Sequence, residues 1–286
     1  MPISRVGVVG CGLMGSGIAE VAALSGLDVV VSEAGPDAVR AGRGRVLASL
    51  DRGLRRGKLS EQARDEALAR LTFTHDLGDM SDRQIVIEAV AENRELKTEI
   101  MKTLDKTVAD PEAILATNTS SIPVIDLAIA TGRPDRVLGV HFFNPVPVQR
   151  LVELIPALTT GKDTLDRARE FVRERLGKET VRSPDRAGFV VNALLVPYLL
   201  AAVRMLESGV ADAEDIDRGM ELGCAHPMGP LRLLDLIGLD TAQAIAESMY
   251  EEYKEPTYAP PALLRRMVGA GWRGRKSGRG FYQYET

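Results

Sequence analysis

The chain has 286 residues, 45% of them hydrophobic, and its 36 basic and 40 acidic side chains leave a formal net charge of −4. This suits a folded globular protein of one large or two ordinary domains, and it gives no reason to expect nucleic-acid binding. Two cysteines argue against a disulfide framework and fit a reducing, cytoplasmic setting.

In chain order, no positively charged leader with an apolar core precedes Arg5-Val6-Gly7-Val8-Val9, a run rich in β-branched residues that predicts a strand. It enters Gly10-Cys11-Gly12-Leu13-Met14-Gly15 without a polar spacer, and residues 16–24 then carry apolar side chains at helical spacing until Gly26. Residues 27–33 read as a second strand ending on Glu33, so the stretch predicts a strand, helix and strand in a parallel crossover. In such a unit Gly10 permits the tight turn, Gly12 lets the backbone approach a pyrophosphate, and Gly15 lets helix and strand pack closely. The helix amino end presents N–H groups and a positive dipole end to the phosphates. Glu33, eighteen residues past Gly15, stands where a carboxylate accepts the ribose hydroxyls. The expected ligand is a dinucleotide, and Glu33 favours NAD over NADP. A 2′-phosphate ~4 Å from a carboxylate meets repulsion of about 4 kcal/mol at an effective dielectric near 20. The alternative is a domain of the same architecture whose turn binds nothing.

Residues 36–56 and 59–71 have the composition of helices, the second opened by Ser60. Between them Arg52-Gly53-Leu54-Arg55-Arg56-Gly57-Lys58 is the densest basic cluster, either a solvated helix end or a dock for a polyanionic substrate handle. Strands are predicted at 71–74, 84–88, 113–117, 137–143, 151–155 and 179–182, with a helix over 94–109. This alternation predicts an α/β fold: a Rossmann-type, doubly wound, mostly parallel sheet in a domain spanning 1–184, with ligands at the carboxyl ends of the strands.

From residue 185 the character changes. Residues 188–207 read as a long helix, apolar on nearly every side and containing Pro197, which needs burial all round; a partner subunit is the simplest supply. Residues 187–203 carry no charge, but they are at the short limit for a membrane span and include Asn192, so a buried helix is the better reading. Further helices at 213–222, 230–237, 239–253 and 261–270 make the second domain, 185–286, all-α. No internal repeat or low-complexity tract interrupts it.

Three histidines are present. His75 follows a strand beside Asp76, where a surface role is expected, and His226 sits in a Pro-rich turn, where a structural role is expected. His141 ends an apolar strand on the side where a doubly wound sheet holds its ligand. Glu153 lies beyond the Asn144-Pro145-Val146-Pro147 turn among Leu151, Val152, Leu154 and Ile155, where a carboxylate is costly to bury without a partner. An imidazole would satisfy it and would have its tautomer fixed in return; the alternative is a partly exposed edge strand. No metal site is expected.

The chain resembles the NAD-dependent L-3-hydroxyacyl-CoA dehydrogenase family over essentially its full length, and within it the single-function bacterial members acting on 3-hydroxybutyryl-CoA. The resemblance is carried by Gly10 to Gly15, Asn118-Thr119-Ser120-Ser121, His141-Phe142-Phe143-Asn144-Pro145, Gly188-Phe189-Val190-Val191-Asn192, Pro227-Met228-Gly229-Pro230 and Lys276-Ser277-Gly278-Arg279-Gly280-Phe281-Tyr282. It implies reversible oxidation of a (S)-3-hydroxyacyl-CoA to the 3-ketoacyl-CoA, with His141 as base, Glu153 orienting it, Ser120 on the reacting oxygen and Asn192 positioning substrate. By the same resemblance Gly10, Gly12, Leu13, Met14, Gly15, Glu33, Glu92, Lys97, Asn118, Ser120, Asn144 and Lys276 serve the cofactor, and Ser49 and Arg56 serve coenzyme A. A cytoplasmic homodimer joined through the helical domain is implied, with an acyl-CoA as its small-molecule partner. Two departures stand out: Arg56 replaces a frequent lysine, which still suits phosphate, and Ala187 replaces a frequent proline. Other readings keep the chemistry on an acyl-carrier-protein thioester or a free sugar acid, or keep only the fold, as a noncatalytic NAD-binding structural protein.

Overall fold

The computed structural model describes residues 2–285. The chain forms two compact units that divide between Arg186 and Ala187.

In the first unit β1 (Arg5–Val9), α1 (Leu13–Leu24) and β2 (Asp28–Ser32) make the expected crossover, with β1 and β2 parallel. They are followed by α2 (Pro36–Arg55), α3 (Glu61–Ala69), β3 (Leu71–Thr74), β4 (Ile85–Glu88), α4 (Arg94–Thr107), β5 (Ile114–Thr117), α5 (Val124–Ala128), β6 (Val137–Phe142), β7 (Leu151–Pro156), α6 (Lys162–Glu170) and β8 (Glu179–Arg182). The eight strands form one sheet in the order β3-β2-β1-β4-β5-β6-β7-β8. All neighbours are parallel except β6 and β7. Strands β4, β5 and β6 are buried along their whole length, which explains why they read as unbroken apolar runs and not as alternating ones. The chain leaves β1 toward β2 and β3 on one side and resumes at β4 on the other, so β1 and β4 flank the switch point where a doubly wound sheet opens a crevice.

Helix α3 begins as read, with the Ser60 hydroxyl accepting from Ala63 N, but it ends two residues early because Leu71 pairs into β3. Helices α5 and α6 lie outside the sequence expectations. The first is five residues long, and the second, Lys-Asp-Thr-Leu-Asp-Arg-Ala-Arg-Glu, buries only Thr164, Leu165 and Ala168, too thin a stripe to register as a periodic pattern.

The second unit packs α7 (Val191–Glu207), α8 (Ala213–Gly223), α9 (Pro230–Ile237), α10 (Leu239–Tyr253) and α11 (Ala262–Gly269) around Leu199, Leu200, Val203, Leu231, Leu234 and Met249. Among the described residues it contains no strand, only isolated bridges such as Gly274 with Arg279. Helix α7 starts three residues later than read, because Gly188 (φ 83°) and Phe189 (φ 48°) are in the left-handed region and cannot extend a right-handed helix. It is not buried all round within this chain: Leu194 is 75% exposed and Met205 44%. No helix among the described residues is long and apolar enough to cross a membrane.

The glycine turn makes a stability test possible. A Cβ on Gly15 would lie 1.8 Å from the Gly10 carbonyl oxygen, whereas one on Gly12 meets nothing within 4 Å. Gly15→Ala should therefore lower stability by more than about 2 kcal/mol, and Gly12→Ala should leave the Tm close to that of the unaltered chain.

Candidate active site

The carboxyl ends of β1, β2, β4, β5 and β6 bring together most of the residues singled out in the first unit. At β1 the turn is built as its glycines require: Gly10 has φ 88°, and Leu13, at the first position of α1, is 67% exposed. Helix α1 has no side chain capping its amino end, so its first N–H groups are available to an anion. Glu33, just past β2, accepts from Cys11 N at 2.6 Å and Ala34 N at 3.3 Å and thereby ties the turn to the end of the neighbouring strand. Arg45 of α2 donates to the Cys11 carbonyl at 2.9 Å. Burial, with the Glu33 charge adding to it, pushes the Cys11 thiol up to about 12, so this cysteine is a packing residue and not a nucleophile.

At β4 and β5 a charged network lies under the loop that carries Ser120. Glu88, the last residue of β4, is fully buried; its Oε1 accepts from Lys97 Nζ and Val90 N at 2.7 Å each, and its Oε2 accepts from the Thr117 hydroxyl at 2.7 Å. Lys97, also fully buried, lies 3.4 Å from Glu92 as well. Glu92 Oε1 gathers the Thr119 and Ser121 hydroxyls at 2.6 and 2.8 Å and the Ser120 and Ser121 N–H groups at 3.0 Å. Partial burial opposes ionisation of Glu92, but the Lys97 charge and these donors win and hold its carboxyl below the usual range. Asn118, at the head of the same loop, accepts from Phe142 N at 2.9 Å and so joins β5 to the end of β6.

His141 and Glu153 meet because antiparallel pairing of β6 and β7 sets them directly opposite each other. His141 Nδ1 lies 2.8 Å from Glu153 Oε2; the carboxylate is fully buried and the histidine is 7% exposed. An ionised Glu153 accepts the Nδ1 proton, which places the basic lone pair of the ring on Nε2. The Phe143 ring stands edge-on to the imidazole at 4.7 Å. β7 is not an edge strand: it is covered by β6 on one side and β8 on the other. Asn144 is exposed in the loop between β6 and β7, which is pinned by Lys178 Nζ donating to the Val146 and Gln149 carbonyls at 2.8 and 2.6 Å.

Ser49 lies on α2 next to the buried Glu20 of α1, whose carboxyl is raised by burial against the pull of Ser49 and Arg52. Arg52, Arg55, Arg56 and Lys58 are all exposed at the carboxyl end of α2. Asn192 and Lys276 belong to the second unit. Asn192, the second residue of α7, is buried, and Lys276 pairs with Asp240 at 2.6 Å. His75 is exposed, and His226 Nδ1 lies 3.1 Å from the Tyr198 hydroxyl. No cluster of three metal-ligating side chains occurs among the described residues.

Glu88 is the site-end residue missing from the sequence expectations. Its signal was present, a carboxylate closing an apolar strand with a lysine nine residues on, but a charge at a strand terminus is usually solvated, and only the fold shows that this one is enclosed.

Comparison with known proteins identifies the family. Residues 5–186 match the family model described as 3-hydroxyacyl-CoA dehydrogenase, NAD binding domain, and residues 188–284 match its C-terminal domain. A 3-hydroxybutyryl-CoA dehydrogenase of Mycobacterium tuberculosis is 58% identical over 282 residues, which cover 99% of each chain. The crystal structure of FadB2 from M. tuberculosis matches with a TM-score of 0.99 at 58% identity, covering 100% of both chains. That of the (S)-3-hydroxybutyryl-CoA dehydrogenase PaaH1 from Ralstonia eutropha matches with a TM-score of 0.93 at 46% identity, covering 99% of this chain and 100% of that one. With both units matched and the charged groups gathered at the strand ends, the chain belongs to the 3-hydroxyacyl-CoA dehydrogenase family.

Proposed function

We propose that the protein reversibly oxidises a short (S)-3-hydroxyacyl-CoA, 3-hydroxybutyryl-CoA in the first instance, to the 3-ketoacyl-CoA with NAD. The observation that carries this reading is the buried His141 and Glu153 pair, 2.8 Å apart, at the carboxyl end of the sheet that also bears the glycine turn. Names of relatives supply the substrate class: the M. tuberculosis and R. eutropha proteins are 3-hydroxybutyryl-CoA dehydrogenases.

In this reading the first unit is the cofactor domain. The turn fits a dinucleotide, since Gly12 offers open space to a pyrophosphate and Gly15 leaves room for no side chain. Gly10 to Gly15 and the amino end of α1 bind the phosphates, Glu33 takes the adenosine ribose, and Glu92, Lys97, Asn118, Asn144 and Lys276 serve the nicotinamide half. NAD supplies the hydride acceptor. His141 Nε2 takes the hydroxyl proton as the C3–O bond gains double-bond character, and Glu153 keeps the ring in the required tautomer and balances the imidazolium that forms. Ser120 donates a hydrogen bond to the reacting oxygen, and Asn192 helps to position the thioester. Ser49 and Arg56 bind coenzyme A, with the exposed basic end of α2 receiving its phosphates. Leu194, Val210 and Leu222 of the helical unit, each more than 70% exposed, support a homodimer formed through that unit. Two cysteines without a disulfide support a cytoplasmic location.

The direct test is the absorbance of NADH on addition of acetoacetyl-CoA; an absence of NADH oxidation by the pure protein refutes the reading. His141→Ala should lower kcat by roughly 10²–10⁴-fold, and Glu153→Gln by at least about tenfold, because the amide can present a donor to Nδ1. A further prediction concerns the handle. Arg56→Ala should raise the KM for acetoacetyl-CoA by roughly threefold or more while leaving that for the acetoacetyl-pantetheine thioester unchanged. Equal rates of the unaltered protein on the two thioesters would remove the coenzyme A phosphates from the binding scheme.

A further inference from the structure

The network under the Ser120 loop contains an imbalance of charge. Two carboxylates, Glu88 and Glu92, face one ammonium, Lys97. Every group that meets the Glu88 carboxylate is a donor, Lys97 Nζ and Val90 N on one oxygen and the Thr117 hydroxyl on the other. Glu92 likewise receives only donors, from Thr119, Ser120, Ser121 and Lys97. The next cation along α4, Arg94, is paired with Asp126 at 2.9 Å. The amino end of α4 contributes about half an elementary positive charge at most, so the cluster remains negative. Lys97 and Glu88 are fully buried and the Glu92 side chain is 35% exposed, so water screens the excess charge only in part.

Buried ion pairs often contribute no net stability over apolar replacements, so filling space does not account for Glu88. Glu88 does more than pair with Lys97: it makes the cluster carry one more negative than positive charge. Resting on the proposed function, which puts Glu92 and Lys97 at the nicotinamide half, we propose that Glu88 is a positioning residue whose excess negative charge favours the cationic ring of bound NAD+ over the neutral ring of bound NADH. The bound equilibrium is thereby biased toward reduction of the ketone. In that direction hydride passes from NADH to C3 of the 3-ketoacyl thioester and the proton passes from His141 to its oxygen, leaving NAD+ and the alcohol.

The variant Glu88→Gln isolates the charge. Its amide oxygen retains Lys97 and Val90 N, its NH2 faces the Thr117 hydroxyl, which can turn to accept, and the cluster becomes neutral. Dissociation constants for NADH, by fluorescence titration, and for NAD+, by competition, are measured on the full chain. The ratio Kd(NAD+)/Kd(NADH) should rise at least about threefold in Glu88→Gln, the order of effect expected for loss of one elementary charge in a partly screened site. Thr117→Val, which removes a hydrogen bond from Glu88 but no charge, should leave the ratio unchanged even if it lowers the Tm. A structural defect weakens both nucleotides together and does not move the ratio. If Glu88→Gln does not fold, the less buried Glu92→Gln carries the same expectation. A ratio that stays at the original value in a folded charge-removing variant overturns the proposal while leaving the proposed function intact. Failure of the unaltered protein to bind either nucleotide overturns both.

Discussion

The antiparallel step from β6 to β7 is the constraint on which the site depends. In a wholly parallel sheet the strand after β6 would return through a crossover, and residues twelve apart in sequence could not face each other across one ladder. Reversal through the Asn144 to Arg150 loop makes His141 and Glu153 direct cross-strand partners, with their side chains on the same face of the sheet. A slip of one residue would send one of the two to the opposite face. The register is protected by the burial of both strands: Val140 and Phe142 on one, and Val152, Leu154 and Ile155 on the other, are all essentially inaccessible.

The fold was legible where burial leaves a strong pattern. Strands buried on both faces give short β-branched runs, and the glycine turn, its following helix and Glu33 occur in the only order that makes sterically useful neighbours of them. What escaped notice has physical reasons. Helix α6 is mostly charged and buries few side chains, and α5 is shorter than two turns, so neither leaves a periodic trace. The start of α7 was hidden because nothing in Gly-Phe-Val-Val announces that a phenylalanine will adopt a positive φ. The site was legible at the level of residue type and order, and less so at the level of partners. Glu153 left an edge-strand alternative open until the order of the sheet placed a strand on either side of β7. Glu88, whose charge could have been solvated, gave no sign of its enclosure.

Burial of charge at the carboxyl edge of the sheet serves a common purpose in three places. Glu88 and Lys97, His141 and Glu153, and Lys178 with its two carbonyls each fix a loop or a ring whose own backbone offers little rigidity. A hydrogen bond to an enclosed carboxylate is strong because leaving either partner unsatisfied is costly. Apolar packing could hold these loops equally tightly, but it would not set which protons and charges point into the crevice. Lys178 shows the compromise: desolvation depresses its pKa, and it keeps its place by donating to carbonyls that have no better partner.

The helical unit uses the same device for a different end. Asp235, almost fully buried, accepts from Phe281 N and Tyr282 N and from the Tyr284 hydroxyl, while Asp217 accepts from Leu231 N, Arg232 N and the Tyr282 hydroxyl. A Cβ on Gly280 would stand 1.9 Å from an Asp235 oxygen, so the glycine in Lys276-Ser277-Gly278-Arg279-Gly280-Phe281-Tyr282 is required by packing inside this unit. A motif that reads in sequence as a cofactor contact is therefore, over most of its length, a folding element. Two side chains of the stretch keep an accessible charge: Lys276, half exposed and held by Asp240, and Arg279, exposed with its guanidinium over the Trp272 ring. One stretch of sequence can thus answer two demands at once, and the residues that answer to chemistry are separated from those that answer to packing by asking which of them still has an accessible polar atom once the fold is formed.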